Sequence, residues 1–410
     1  MKTDRTDVLI VGAGAAGLFA AIWAGRTHPG RRILLLDGAK PLGAKILVAG
    51  GGRCNITHDV VSEDAYAGSS RNAIRKVLKH FDVPQTILFF EELGVELKRE
   101  ESGKFFPVSD SARTVLDALL AAVRYVGAEI QHPRRVEQIE RTEYGFRVGG
   151  TWGALETSRL VLATGGMSLP KSGSDGHGYH LARSLGHSIT PRVFPALVPL
   201  ILPPDHFLRT LSGISAPARL EVRSVSGKLL AAFTGSTLCT HFGLSGPPVL
   251  DISRYYIDAA LDDPAGTRLL MNWLPDLTPE SFEQILLSVD RISVGRLLRD
   301  WLPERLARGL CLAAAIEPQT PVQQLTREAR RALIRTVTQL SLPIVGNRGF
   351  TYAEVTAGGI PLSEIRLETM ESRLCPGLHL CGEICDVDGR IGGYNFQWAW
   401  SSGYAAGVSV

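Results

Sequence analysis

The chain has 410 residues, enough at a usual domain size of roughly 150 for two or three domains. Its 45% apolar and 21% charged content excludes long disorder, a collagen-like repeat and a coiled coil. Basic and acidic residues are interspersed and leave a net charge of +3, which gives no support to a nucleic-acid or membrane partner and leaves a small molecule as the expected one.

Glycine is the outlier: the chain has 43, about a tenth of it against a usual roughly 7%, clustered without a period. Clusters of that kind point to sites built from backbone. Cys54, Cys239, Cys311, Cys375, Cys381 and Cys385 form no CxxC pair, zinc spacing or disulfide framework, so no metal is expected and a reducing, cytoplasmic setting is.

In chain order, residues 8–25 are uncharged and long enough to mimic a membrane span, but their internal pattern is different. Val8, Leu9, Ile10 and Val11 read as a buried strand that ends in Gly12-Ala13-Gly14-Ala15-Ala16-Gly17. Helix-forming residues follow, then a second apolar run over residues 33–36 that closes on Asp37. Strand, glycine turn, helix, strand and acid make one βαβ dinucleotide unit. Gly12 permits the tight turn, Gly14 lets backbone approach a pyrophosphate at the helix N-terminus, and Gly17 lets the helix pack on the sheet. Asp37 suits the hydroxyl pair of an adenosine ribose.

FAD and NAD share that fingerprint, and three later segments separate them. Residues 45–57 read KILVAGGGRCNIT, where consecutive N–H groups beside Arg53 and Asn55 suit a phosphate or an electron-rich ring edge. A meander follows, with strands expected at 135–139, 145–148 and 155–157, then RLVLATGG over 159–166, a further buried strand stopping on Ala163, Thr164, Gly165 and Gly166. Near the C-terminus LHLCGE ends in Gly382-Glu383, and Gly392-Gly393-Tyr394-Asn395 open a last helix. Glu383 can hold a ribityl chain, and the N-terminus of that helix can face the flavin edge that carries negative charge on reduction. NAD needs no such second anchor, so FAD is the expected cofactor.

Between these parts, residues 191–275 carry proline-punctuated strand candidates at 197–202, 218–225, 228–233 and 268–273, with Ser226-Gly227 as a hairpin turn. From 276 to 342 the pattern is short helices: Pro279 sits just inside a Thr278 cap, Pro303 starts another, and Thr326 begins a third. Earlier, Arg71, Arg75, Lys76 and Lys79 line one face of a helix whose other face is Ile74, Val77, Leu78 and Phe81; this is a solvated face rather than an RNA site. Phe105-Phe106-Pro107 reads as a loop feeding a helix over 115–123.

The strings GAGAAG, GGGRCNIT, VLATGG, THFGLSGP, VTAGGI and the long TMESRLCPGLHLCGEICDVDGRIGGYNFQWAWSSGYAAG resemble the flavoprotein family that includes the BaiN-type bile-acid reductases and bacterial aminoacetone oxidases. The resemblance spans nearly the whole chain. It implies an α/β fold: a Rossmann-like FAD-binding domain of the glutathione-reductase type over residues 1–190 and 347–410, interrupted by an inserted β-rich plus helical domain over 191–346. The expected cofactor contacts are Gly12, Gly14, Ala15, Ala16, Gly17, Asp37, Lys45, Gly51, Gly52, Arg53, Cys54, Asn55, Val136, Ala163, Thr164, Gly165, Gly166, Gly359, Gly382, Glu383, Asp386, Gly392, Gly393, Tyr394 and Asn395. This chain departs from the family in three places: His177 stands where many relatives carry an acid, Ala49 precedes the glycine run where serine is usual, and CGEIC replaces a more apolar string.

There is no second GxGxxG, so a nicotinamide cofactor, NAD(P)H, has no Rossmann domain of its own and would act as a transient co-substrate. The activity implied is NAD(P)H-linked reduction of a small or steroid-like unsaturated substrate by hydride transfer through flavin. Alternatives are an oxygen-using amine or aminoketone oxidase and a flavin-binding RNA-modification or regulatory protein. His241 and Arg53 are the candidate catalytic residues, His241 because imidazole titrates near neutrality and Arg53 because a guanidinium can stabilise anionic flavin or a substrate carboxylate. Cys54 reads as a buried small hydrophobe.

Overall fold

A computed structural model describes residues 4–410, and the chain divides into two compact units, one running to Pro195 and resuming over Glu354–Val410, the other Ala196–Ala353. These boundaries fall a few residues later than 190/191 and 346/347. No helix among the described residues is long and apolar enough to cross a membrane.

The first unit is built on five parallel strands. Strand β1 (Asp4–Val11) leads through helix α1 (Ala15–Thr27) to β2 (Ile33–Leu36), and helix α2 (Ala112–Tyr125) leads to β3 (Glu129–Gln131). Strands β4 (Gly153–Leu162) and β5 (Leu378–Leu380) complete the order β5-β4-β1-β2-β3. The register sets Ile10 opposite Leu35 on one side and Val161 on the other. All four residues of β2 are buried, as expected for a parallel sheet covered on both faces.

Helix α1 is buried nearly all round because a second helix, α3 (Tyr394–Ser409), lies along it. The approach is backbone to backbone: a Cβ on Gly403 would stand 2.7 Å from the Ala16 carbonyl oxygen, and one on Gly407 2.5 Å from that of Ala20. Phe19 and Trp400 meet at 5.2 Å, with Phe81 and Phe89 also against Phe19. The last segment of the chain thereby completes the core begun by the first.

In three places the local structure differs from the pattern expected of the sequence. The segments 155–157 and 159–162 are one strand, β4, which stops before the expected Ala163–Gly166 turn, because Ser158 between them is no turn residue and its hydroxyl bonds the Asp7 carbonyl at 2.8 Å. The strand expected from 135 begins at Gln138. Phe105–Pro107 is not loop but part of the strand Lys104–Pro107, paired with Thr57–His58 and Leu97–Arg99. The expected basic helix spans Arg71–Leu78 with Ile74, Val77 and Leu78 buried.

The second unit contains a seven-stranded antiparallel sheet in the order 340–342, 268–272, 215–223, 229–240, 243–245, 200–201, 346–347. Ser226-Gly227 turns the hairpin between its two longest strands. The Thr278 and Thr326 side chains accept from Ser281 N and Ala329 N, capping their helices as their positions predict. Two features escaped the sequence pattern. Residues 247–262, within the segment expected to be β, form a helix that starts on Pro247-Pro248, where proline's fixed φ suits the first turn. The sheet also takes its last two strands from beyond the helices.

Candidate functional site

Except for His241, every site residue expected from the sequence lies in the first unit. Gly14 caps α1 with no side-chain hydrogen bond and no acid in the first turn, and a Cβ there would meet nothing within 4 Å. Space, free N–H groups and the positive end of the helix dipole coincide, as a pyrophosphate requires. Asp37, at the end of β2, accepts from Ala13 N through Oδ2 and from Ala39 N through Oδ1, both at 2.7 Å. Its carboxylate therefore ties the glycine turn to the second strand and retains lone pairs for ribose hydroxyls. Arg134 N donates to the Asp37 carbonyl, which brings the buried Val136 segment to the same end of the sheet.

The helix of residues 44–52 breaks at Ala49, after which Gly50, Gly51 and Gly52 take φ of 58°, 70° and 87° and Cys54 takes 62°. A run of left-handed residues turns successive N–H groups toward one side and forms a cradle for negative charge; side chains other than glycine would be strained through it. Arg53 does not project free from this loop. Its guanidinium bonds Glu100 at 2.7 Å, lies 3.6 Å from Asp110 and stacks 3.9 Å above Phe106, and the Glu100 hydrogen bond raises its pKa further. The Cys54 thiol is fully buried and pushed up to about 12 by that burial, so it is no nucleophile. Asn55 is buried, and its side-chain oxygen has no hydrogen-bond partner among the described residues.

Glu383 organises the next part. Its carboxylate accepts from Lys45 Nζ, from Ser168 Oγ at 2.8 Å and from Thr356 N at 3.0 Å. Thr356 Oγ1 in turn accepts from Met167 N at 2.7 Å and Ser168 N at 3.0 Å. Three stretches distant in sequence, the glycine-loop helix, the turn after β4 and residues 354–383, are thus fastened at one carboxylate. Sequence reasoning had Lys45 and Glu383 but missed Ser168 and Thr356; the threonine stands inside the VTAGGI string, and membership of that string was its only signal.

The turn of Gly165 and Gly166 follows β4, and a Cβ on Gly166 would stand 2.5 Å from Thr356 Oγ1. A Cβ on Gly382 would stand 2.8 Å from that of Ala16, which brings the C-terminal turn to the start of α1. Asp386 accepts from Ser69 Oγ at 3.2 Å, and Gly359 N donates to Thr190 Oγ1 at 2.9 Å. Asn395 exchanges two hydrogen bonds with Gly389, and Tyr66 donates its hydroxyl to the Tyr394 carbonyl at 2.8 Å. Helix α3 therefore begins on a braced turn with no side-chain cap. His241 lies in the second unit, exposed at the turn between strands 229–240 and 243–245. Among the described residues no group of His, Cys, Asp and Glu side chains could hold a metal.

An open helix N-terminus, a left-handed glycine cradle and an unpartnered buried amide oxygen, all at one end of a parallel sheet, fit FAD. The residues that would hold it are those of the Gly12–Gly17 turn, Asp37, the Gly50–Asn55 loop, the Ala163–Gly166 turn and the start of α3. Fold and site together define the class: a Rossmann-type, FAD-dependent oxidoreductase. The chain belongs to the HI0933-like proteins, whose Rossmann-domain model matches residues 6–409. It is 35% identical over 402 residues to the 3-dehydro-bile acid delta(4,6)-reductase of Clostridium scindens, covering 97% of both chains. It is also 35% identical over 406 residues to the ribosomal RNA dihydrouridine synthase of Escherichia coli, covering 98% of this chain and 97% of the other. In fold it is similar to E. coli quinol fumarate reductase FrdA, with a TM-score of 0.53 at 17% identity over 99% of this chain and 70% of that one.

Proposed function

We propose that the protein reduces a carbon–carbon double bond conjugated to a carbonyl, with NAD(P)H as the source of electrons and a small, steroid-like enone as the acceptor. One observation carries this reading: relatives of equal identity and nearly full coverage are named for reducing a 3-oxo-4,6-diene and a uridine, and both acceptors are alkenes conjugated to a carbonyl. The flavin, when bound, supplies the hydride. The chain's own contribution is placement: the α1 N-terminus and Asp37 fix the dinucleotide end, and the carboxylate of Glu383, held by Lys45, Ser168 and Thr356 N, fixes the turns around the other end. Orientation of this kind is the main demand of hydride transfer. Arg53, tied to Glu100 and Phe106, acts by holding the glycine loop in shape.

A small acceptor is favoured over RNA by charge. The basic helix is partly neutralised, Arg71 by Asp64 and Arg75 by Glu63, and the whole chain carries only +3. The name of the E. coli relative supports the second reading, a uridine in ribosomal RNA. Six free, buried cysteines suit a reducing compartment.

Anaerobic stopped-flow spectroscopy tests the proposal. NADH or NADPH should bleach the FAD-loaded protein without substrate, and a 3-oxo-4,6-diene bile acid should restore the oxidised spectrum. Restoration only by an unmodified ribosomal RNA transcript selects the second reading. Bleaching by amines and not by nicotinamides refutes both.

A further inference from the structure

The strand Thr57–His58 leaves the glycine loop and pairs antiparallel with Lys104–Pro107, His58 opposite Lys104. Its two side chains diverge, as successive strand residues must. Thr57 Oγ1 donates to Gln397 in α3 at 2.7 Å, while His58 lies flat on Tyr394, with centroids 5.0 Å apart and 19° between the ring planes.

One edge of the imidazole is fixed. His58 Nδ1 is 2.8 Å from Asp59 Oδ1, and Arg99 Nε donates to Asp59 Oδ2 at 2.9 Å. The Arg99 hydrogen bond outweighs desolvation and, with the charges of His58 and Arg99, holds the Asp59 carboxyl below its ordinary range. Nδ1 also lies 3.3 Å from Val60 N, but that N–H bonds the Asp59 carboxylate as well, so the shorter contact to the anion places a proton on Nδ1 and leaves Nε2 as the chemically useful nitrogen. The opposite edge faces the start of α3: His58 Cδ2, bonded to Nε2, lies 3.6 Å from where a Cβ would stand on Gly392, and Lys104 Cε lies 3.4 Å from the same point. Nε2 has no hydrogen-bond partner among the described residues, and the side chain is 18% exposed, enough to exchange protons with water. The titratable or charged groups around the ring are Asp59, Arg99, Lys104 and Tyr394.

We infer that His58 is the proton donor of the reduction, a role that rests on the function proposed above. Alkene reduction adds a hydride to the carbon remote from the carbonyl and a proton to the carbon beside it. The two electrons come from the nicotinamide by way of the cofactor. The π pair of the alkene, displaced toward the carbonyl, forms the second C–H bond with the proton on His58 Nε2. The ring is left neutral, with Nδ1–H on Asp59, and is recharged from solvent. His58 is suited to the task because it belongs to the unit that carries the cofactor residues and its ring is fixed by a stack and an anchored carboxylate, whereas His241 is exposed in the other unit.

The test separates the half-reactions. In His58→Gln, FAD binding and bleaching by NADPH should stay within about twofold of wild type. Reoxidation by the 3-oxo-4,6-diene bile acid, or by the RNA transcript if that is the acceptor, should slow by at least about 100-fold, the usual weight of a general acid. The wild-type reoxidation rate should fall as pH rises, because the step consumes a proton from the ring, and the variant profile should be flat. Asp59→Asn, which keeps the ring and removes its anchor, should slow the same step by a smaller factor. Independently of turnover, the His58 ring resonance, assigned by its loss in His58→Gln, should shift when FAD is added to flavin-free protein. Equal reoxidation rates and profiles in wild type and His58→Gln, or a resonance indifferent to FAD, overturn the assignment alone. Failure of wild-type reduced flavin to be reoxidised by either acceptor overturns the proposed function and this inference with it. Should His58→Gln lose FAD, the Asp59→Asn rate and the wild-type resonance decide.

Discussion

Replacing Thr356 by valine tests whether the site is held together as described. The side chain is fully buried, and valine matches it in shape while lacking the oxygen that accepts from Met167 N and Ser168 N. An orphaned buried N–H costs about 1–3 kcal/mol; Met167 lies at the lower end because it is partly exposed, and Ser168, fully buried, at the upper. The sum is about 2–4 kcal/mol. With a urea dependence of about 3 kcal/mol per molar for a unit of this size, the unfolding midpoint should fall by about 1 M. Tryptophan fluorescence can follow it, since Trp23, Trp152, Trp398 and Trp400 belong to the first unit. Thr356→Ser, which retains the acceptor, should recover most of the loss. A valine variant with a midpoint within about 0.2 M of wild type would refute the claim that this hydroxyl fastens the turn after β4.

Three further outcomes follow from the geometry. Gly17→Ala would place a Cβ 1.9 Å from the Gly12 carbonyl oxygen, so α1 must move off the glycine turn; flavin should be lost on gel filtration and the unit destabilised by at least about 3 kcal/mol in urea titration. Asp37→Ala removes the acceptor for both Ala13 N and Ala39 N, and FAD affinity measured by fluorescence quenching should fall about 10–100-fold while unfolding of the second unit is unchanged. His379, on β5, has its pKa lowered to about 4 by burial, with Arg159 adding to the effect and Glu371 opposing it. Because the folded value lies below the unfolded one of about 6.5, its contribution is complete above pH 6.5 and lost as pH falls toward 4, at most about 3 kcal/mol. His379→Leu should flatten that part of the stability profile, and an unchanged acid limb would remove His379 as its cause.

Much of the first unit was legible because its requirements are local. The Gly12–Gly17 turn, the apolar runs of β1 and β2 and Asp37 follow one another within a single βαβ unit, where period and spacing carry the information. The glycines at 50–52 announced a backbone site for the same reason. What the sequence hid depends on partners far along the chain. Thr356 looks like an ordinary strand residue until the turn after β4 is set against it, and Ser158 reads as a break until β1 is found to accept its hydroxyl. In the second unit the prolines at 247 and 248 signalled loop as readily as helix start, and strands of two or three residues at 340–342 and 346–347 are too short to show a period. Arg53 was placed correctly on the loop, but its ion pair with Glu100 joins residues that only the fold brings together.

The close seating of α3 on α1 bears on the order in which the two units fold. Gly403 and Gly407 meet the backbone of Ala16 and Ala20, so α1 cannot finish its packing until a segment far along the chain reaches it. The sheet of the second unit closes entirely within residues 196–353 and can form in the interval. Closing the first unit therefore joins segments that the whole of the second unit separates in sequence, and a contact of such long separation is among the slowest to form.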